Sequence, residues 1–197
     1  MKKHFLLAPG PTPIPPEVLQ ALARPIIHHR TPLYEGILQE VREGLKYLFQ
    51  TKSEVLIFAS SGTGAMEGAV TNTLSAGDRA LVVEGGKFGE RFSNICRAYG
   101  VQATVIPVEW GRAVDPAVIE KALREDPSIK AVFTQATETS TGVLHPVKEM
   151  AAVVSRCPET ILVVDGISHL GAVKLPMDEW KLDVVLCGSQ KALMLPP

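Results

Sequence analysis

Apolar residues follow two different patterns in the N-terminal quarter of the chain. Five prolines between Pro9 and Pro16 predict an extended arm, because proline lacks the backbone donor that helices and sheets need. A short helix over 17–23 is expected next. Thr31 and Pro32 then resemble an N-cap followed by a proline at the first helical position. Apolar residues recur after them at steps of three and four and predict an amphipathic helix of about five turns: Leu33, Ile37, Leu38, Val41, Leu45, Leu48 and Phe49.

After Lys52 the pattern changes to short apolar runs separated by helical stretches. The runs lack alternation of apolar and polar residues, which is typical of strands buried on both faces of a parallel sheet. They are VLIFA (55–59), ALVVE (80–84), ATVIP (103–107), AVFTQ (131–135), TILVVD (160–165) and DVVLCG (183–188). Helices are predicted over 65–74, 90–99, 118–124 and 146–155. The predicted fold class is α/β with a mostly parallel sheet.

Charge and cysteine content exclude several classes of function. Lysine and arginine total 20 against 21 acidic residues, so there is no basic excess for binding nucleic acid. No apolar run approaches the roughly 20 residues of a membrane helix, and only four apolar residues precede Pro9, too few for a signal peptide. Cys96, Cys157 and Cys187 are too far apart for a metal knuckle, so we expect no metal and a cytoplasmic location.

Ligands of open α/β sheets bind beyond the carboxyl ends of the strands, where the first informative segment is SSGTGA (60–65). Small residues and a helix N-terminus favour binding of a phosphate, and the Ser61 and Thr63 hydroxyls add donors. The segment lacks the Gly-Lys pair of a Walker loop, and Glu67 stands where a dinucleotide fingerprint requires glycine. A tight strand-to-helix turn without a ligand explains it equally well.

Two charged residues follow other runs. Asp165 ends TILVVD, where a carboxylate loses hydration unless a cation or a strong donor meets it. A turn or capping aspartate is the alternative. Lys191 follows DVVLCGSQ, where burial would make its amine nucleophilic, although an exposed lysine is commoner. A phosphate loop, a strand-end carboxylate and a strand-end lysine together match the anchors of pyridoxal 5'-phosphate (PLP).

The sequence resembles the class V aminotransferases, which are fold-type I PLP enzymes, and looks closest to their serine–pyruvate and alanine–glyoxylate branch. The resemblance rests on LLAPGPTPIPPEVL, SSGTGAMEGAV, GGKFGERF, ETSTGV, VVDGISHLGA and GSQKAL, in that order along essentially the whole chain. It implies a three-layer α/β/α large domain over 31–197 after an N-terminal arm over 1–30. It also implies that the last strands of this domain and the C-terminal domain are missing.

The resemblance assigns roles around the cofactor ring. Lys191 matches the Schiff-base lysine and Asp165 the partner of the pyridine nitrogen. Ile167 would lie against one ring face, and Phe88 would stack on the other, where many relatives carry tryptophan. Thr139 matches a hydroxyl residue near the ring oxygen.

Further residues match the family's phosphate and substrate sites. Thr63, Gly64 and Ala65 match the phosphate loop, and Ser189 and Gln190 add donors on the phosphate side. Gly10 matches a backbone element that lines the substrate carboxylate site. The remaining motif is the pair His28 and His29, which would either border the entrance or be ordinary loop residues.

The resemblance implies transfer of an amino group from serine or alanine to a 2-oxo acid such as glyoxylate or pyruvate, by a homodimer. A same-fold lyase and a non-catalytic fragment are the alternatives. Desulfurases of this fold stack a histidine on the ring, and no histidine occurs between Leu81 and Gln135, which favours transamination. Family members are about twice as long, and their second half supplies an arginine for the substrate carboxylate. We therefore expect the 197-residue chain to need that C-terminal half as a partner for activity.

Overall fold

Five of the six apolar runs form one parallel sheet in the computed structural model, which describes residues 6–196. The strands of this sheet are Arg79–Glu84 (β1), Gln102–Pro107 (β2), Ile129–Gln135 (β3), Ile161–Asp165 (β6) and Val184–Leu186 (β7). They lie side by side in the order β2-β1-β3-β6-β7, and every neighbouring pair is parallel. Thr137–Glu138 (β4) and Val143–Leu144 (β5) form a separate antiparallel pair.

Six of the seven helices agree with predicted ones to within a few residues, and the short α7 was not predicted. They are Pro16–Leu22 (α1), Pro32–Phe49 (α2), Gly62–Thr73 (α3), Lys87–Ala98 (α4), Pro116–Glu125 (α5), Val147–Val154 (α6) and Met177–Trp180 (α7). The largest differences are the starts of α3 and α4, each three residues before the predicted position. In α3 the reason is the Ser61 side chain, which accepts a hydrogen bond from Gly64 N and caps the helix before Gly62.

The sheet is covered on both faces, which confirms the three-layer α/β/α fold. Along β1, Leu81 and Val83 belong to one buried cluster while Ala80 and Val82 belong to the other, because successive side chains point to opposite faces. The first cluster includes residues of α5 and α6, among them Ile119 and Met150. The second includes residues of α3 and α4, among them Met66, Val70, Phe92 and Cys96. Both faces of each central strand are therefore buried, as the unbroken apolar runs predicted.

The predicted strand over 55–59 is wrong. This segment has no regular secondary structure, and Leu56, Ile57 and Phe58 are 74%, 56% and 54% exposed. Its composition is that of a buried strand, but a strand also needs a neighbour for its backbone groups. No strand within residues 6–196 pairs with it.

Helix α2 forms as predicted, but the described residues leave the N-terminal half of its apolar stripe largely uncovered, while Leu45 and Leu48 pack against the core. Leu33, Ile37 and Val41 remain 43–62% exposed, and Phe49 is its one buried residue. None of the helices within residues 6–196 has the length and hydropathy that a membrane span requires. The division into an arm over 1–30 and a large domain over 31–197 stays a prediction, and residues 1–5 and 197 lie outside the described part.

The cluster on the α3/α4 face predicts a large effect of truncating Phe133. Its ring is fully buried and lies 5.0 Å from the Phe92 ring, centroid to centroid. Phe133→Ala should lower the free energy of unfolding by about 3–5 kcal/mol, because it leaves a cavity between sheet and helices. Urea denaturation measures this change. Tyr47→Ala, at a side chain that is 85% exposed, is the control, and an equally small effect of both variants would contradict the assigned core.

Candidate active site at the carboxyl ends of the strands

The predicted charged residues meet at the carboxyl end of the sheet. Asp165 is the last residue of β6, and the turn that carries Lys191 follows β7, its neighbour in the sheet. The N-termini of α3 and α4 border the same end. A Cβ built on Gly62 would lie 2.6 Å from Ile167 Cδ1, so a side chain at this position would collide with the loop after β6. This close approach brings the start of α3 against Ile167.

The first turn of α3 offers unpaired backbone donors to an anion. The N–H groups of Gly64 and Ala65 already bond to the Ser61 side chain and carbonyl oxygen. The N–H groups of Gly62 and Thr63 have no acceptor within residues 6–196. Because the helix dipole also favours negative charge here, the turn suits a phosphate group. Among the predicted loop residues, only Thr63 therefore retains a free backbone donor.

Asp165 is a buried carboxyl group with one unpaired oxygen. Its Oδ1 accepts a hydrogen bond from Ile167 N at 2.8 Å, which is the turn contact that the alternative interpretation expected. No donor within residues 6–196 reaches Oδ2. The pKa of Asp165 is raised to about 6, chiefly by burial and also by nearby Glu138, while the hydrogen bond from Ile167 N and the charges of Arg91 and Lys191 act in the opposite direction. A cation placed against Oδ2 would restore the ionised form.

Lys191 is held by the N-terminal arm. Its Nζ donates to the Pro9 carbonyl oxygen at 3.2 Å, and the Thr12 hydroxyl donates to the Lys191 carbonyl oxygen at 3.0 Å. A Cβ built on Gly10 would lie 2.5 Å from Nζ, so glycine is the residue that fits beside this amine. Burial lowers the pKa of Lys191 below its ordinary value, and Asp165 partly opposes that effect. The amine is therefore half-buried and easier to deprotonate than a surface lysine.

Glu138 is a site residue that sequence reasoning missed. This fully buried side chain accepts hydrogen bonds from Phe88 N at 3.1 Å and from Gly89 N at 3.2 Å through Oε2. Its Oε1 accepts from Ser140 N at 3.0 Å and from the Ser140 hydroxyl at 2.7 Å. The carboxylate thus fixes the first turn of α4, which carries Phe88. The sequence signal that could have indicated Glu138 was an acidic residue beside Thr139, close after the apolar run AVFTQ (131–135).

Arg91 is a second missed residue, and it connects Phe88 with the α3 turn. Its guanidinium lies 4.8 Å from the Phe88 ring centroid, and Nη1 donates to the Thr63 hydroxyl at 2.8 Å. This arrangement places a permanent positive charge beside the turn that suits a phosphate. An exposed arginine one helical turn after Phe88 carried no signal in the sequence, because only the fold brings α3 and α4 together.

The other predicted residues differ in their surroundings. The hydroxyls of Thr139 and Ser168 are 2.5 Å apart, which links the loop after β4 to the loop after β6. The Ser189 hydroxyl donates to the Pro196 carbonyl oxygen at 3.0 Å rather than pointing to an open site. The Gln190 carbonyl oxygen accepts from Thr12 N at 3.1 Å.

His28 and His29 belong to the turn before α2. Their rings stack 4.7 Å apart, and His28 Nδ1 accepts from Arg30 N at 3.1 Å. No hydrogen bond within residues 6–196 joins them to the strand ends.

Comparison with known proteins identifies the family. A family model described as aminotransferase class-V matches residues 4–197. The chain belongs to this family. It is 44% identical to a protein named soluble hydrogenase, small subunit, from Synechococcus sp. (strain PCC 6716), over 99% of this chain and 51% of that protein. It is 35% identical to the serine–glyoxylate aminotransferase of Methylorubrum extorquens, over 98% of this chain and 49% of that enzyme.

Solved structures of aminotransferases share the fold closely. The alanine–glyoxylate aminotransferase of Nostoc sp. superposes with a TM-score of 0.95 at 29% identity, covering 100% of this chain and 52% of that one. The chain spans about half the length of the curated relatives it matches.

Asp165 is expected to reduce the stability of the ligand-free protein at neutral pH. The folded carboxyl has its pKa raised to about 6 from 3.8, so between these values the folded state binds more protons than the unfolded state. Stability should therefore fall as the pH rises through 6, by about 3 kcal/mol at pH 8. Asp165→Asn, which still accepts from Ile167 N, should be more stable than the wild type at pH 8 and equal to it below pH 4. Urea denaturation at both pH values measures this, with exposed Glu109→Gln as control; an Asn variant that is less stable at pH 8 would contradict it.

Removing the negative charge of Glu138 should release the start of α4. Glu138→Gln replaces one acceptor oxygen by a donor, which leaves either the two backbone N–H groups or Ser140 without a partner. We expect a loss of about 2–3 kcal/mol in the free energy of unfolding, and faster amide exchange at Phe88 and Gly89. Ser140→Ala removes the hydroxyl that donates to Glu138 Oε1 and accepts from Lys87 N, keeps both Glu138 oxygens, and should cost about 1–2 kcal/mol. Unchanged exchange at Phe88 in the Gln variant would show that Glu138 does not hold this turn.

Proposed function

We propose that this protein is a PLP-dependent aminotransferase that moves an amino group from a small amino acid, serine or alanine, to a 2-oxo acid such as glyoxylate or pyruvate. The observation that carries the proposal is the buried Asp165 carboxyl beside the half-buried Lys191 amine, next to a helix N-terminus with free donors. The substrate class is supported by relatives named serine–glyoxylate and alanine–glyoxylate aminotransferases.

The residues present fit the cofactor. The free N–H groups of Gly62 and Thr63 suit its phosphate, and Arg91 adds a positive charge beside Thr63. Asp165 Oδ2, which lacks a donor, suits a protonated ring nitrogen. Phe88 offers an aromatic surface, and Lys191 Nζ offers the amine for covalent attachment. Gly10, Ile167, Thr139, Ser189 and Gln190 remain proposed contacts.

The chain's own groups would divide the chemistry between them. When bound, the protonated cofactor ring supplies an electron sink for the bond that breaks at the substrate's α-carbon. Lys191 Nζ would take the proton from that carbon, because its lowered pKa increases the fraction of neutral amine. Asp165 would stay ionised opposite the ring nitrogen and so favour the state in which negative charge develops. Phe88 would exclude water from the face that it covers.

We propose a homodimer in which a C-terminal half completes the substrate carboxylate site, as the resemblance implies. A same-fold lyase would use the same anchors, so the products decide between the two reactions. Transfer gives glycine from glyoxylate in equal amount to the 2-oxo acid formed from alanine, whereas a lyase would give no glycine.

Covalent trapping tests the assignment of Lys191. The protein that includes the proposed C-terminal half, called full-length below, should show a visible absorbance band when it is incubated with PLP. Reduction with borohydride followed by peptide mapping should place the covalently attached PLP on Lys191. Lys191→Ala should lose the label and the turnover of alanine with glyoxylate by several orders of magnitude, because no other described amine faces Asp165.

The matched control is Lys174→Ala, at an exposed lysine paired with Glu179. This variant should keep both label and turnover. A label found on Lys174 or on another lysine, or normal turnover by Lys191→Ala, would overturn the proposed function.

A further inference from the structure

Gln135 is a fully buried amide without hydrogen bonds. Its side chain is 0% exposed, and neither Nε2 nor Oε1 has a partner among the residues that the structure describes. A buried polar atom without a partner loses its hydration and gains nothing in return. Such groups are rare in folded proteins and call for an explanation.

The register of the sheet brings this amide beside Asp165. Gln135 ends β3, and its partner on the neighbouring strand β6 is Asp165. Adjacent strands lie about 4.8 Å apart, so side chains at paired positions on one face are direct neighbours. Both residues occupy the ends of their strands, at the edge where the proposed cofactor site lies.

The two side chains also point to the same face of the sheet. Ala131 and Phe133 of β3 belong to the cluster on the α3/α4 face, and Gln135 follows them at the same spacing of two. Val163 of β6 belongs to that cluster too, and Asp165 follows it by two residues. Thr134, in contrast, points to the opposite face, where its hydroxyl lies 3.9 Å from Met150 Sδ.

Asp165 offers the acceptor that the amide lacks. Its Oδ1 is used by Ile167 N, while Oδ2 has no donor within residues 6–196. An ionised carboxylate is a much stronger acceptor than a protonated one, because hydrogen bonds to charged groups are stronger than neutral ones. The amide would therefore gain its partner when Asp165 is ionised, a form that a cation bound at the site favours.

We infer that Gln135 is a positioning residue for Asp165: its Nε2 donates to the Asp165 carboxylate when the cofactor is bound, and it has no partner when the cofactor is absent. This inference rests on the proposed function and adds to it a residue that the sequence comparison did not assign. The hydrogen bond would hold the carboxylate in the orientation that faces the ring nitrogen. The unpaired amide of the ligand-free state is the cost of that arrangement.

The inference predicts opposite effects of one substitution on two measurements. Gln135→Met keeps the size of the side chain and removes the amide. The cofactor-free variant should unfold at a higher temperature than cofactor-free wild type, because an unpaired buried polar group is gone. Its PLP dissociation constant should rise about tenfold or more, because a hydrogen bond to a charged group is lost. A purely structural role would instead lower the stability or leave both values unchanged.

The experiment compares the full-length wild type, Gln135→Met and Thr134→Val, each with and without PLP. Thr134→Val alters the opposite face of the same strand and should leave the PLP dissociation constant unchanged. A Met variant that is less stable without PLP or fails to fold, or that binds PLP as the wild type does, would overturn the inference. If the wild type itself binds no PLP, the proposed function fails with it. If the wild type and Gln135→Met bind PLP equally well, only the proposed role of Gln135 fails and the proposed function stands.

Discussion

A carboxyl group buried at the end of a parallel strand is the constraint around which this site is arranged. Asp165 is 4% exposed, and one of its oxygens has no donor within the described part of the chain. Folding an ionisable group into such a place costs free energy unless something compensates. The raised pKa shows that the protein provides only part of the compensation itself. A cationic ligand atom at Oδ2 would provide the rest, so the local instability and the proposed function have the same origin.

The surrounding segments form a frame that does not depend on Asp165 itself. Glu138 accepts two hydrogen bonds from the first turn of α4 and two from Ser140, and Arg91 of that helix reaches the first turn of α3. The N-terminal arm reaches the same place from the other end of the sequence, where Pro9 and Thr12 contact Lys191. Charged and backbone groups far apart in the chain therefore fix the positions of Phe88, Thr63 and Lys191. The Lys191 amine rests against the arm, and movement of residues 9–12 would change its surroundings directly.

The two buried carboxylates of the site have opposite environments. Glu138 has a hydrogen-bond donor for each oxygen, whereas Asp165 has a donor for one. A fully paired buried carboxylate rigidifies its neighbours, and a half-paired one remains ready to accept a ligand. Glu138 therefore holds neighbouring segments of the site in place, whereas Asp165 has an oxygen that can contact a ligand. It also explains why the pair can lie close enough for Glu138 to raise the pKa of Asp165 without both having the same role.

Local pattern was enough to predict much of this molecule. The unbroken apolar runs predicted a buried parallel sheet, Thr31 and Pro32 marked the start of α2, and Asp165 and Lys191 stood out because they directly follow such runs. These features depend on neighbouring residues in the chain, through apolar periodicity, helix capping and the residues at which strands end. The run over 55–59 has the same local composition as the others, yet it has no strand beside it within the described residues, and composition alone could not show that. Arg91 and the unpaired Gln135 were equally invisible, because their significance depends on which strand, helix and loop ends come together. Only the tertiary structure decides such contacts, since hydrogen bonds and burial depend on distance in space and not on separation along the chain.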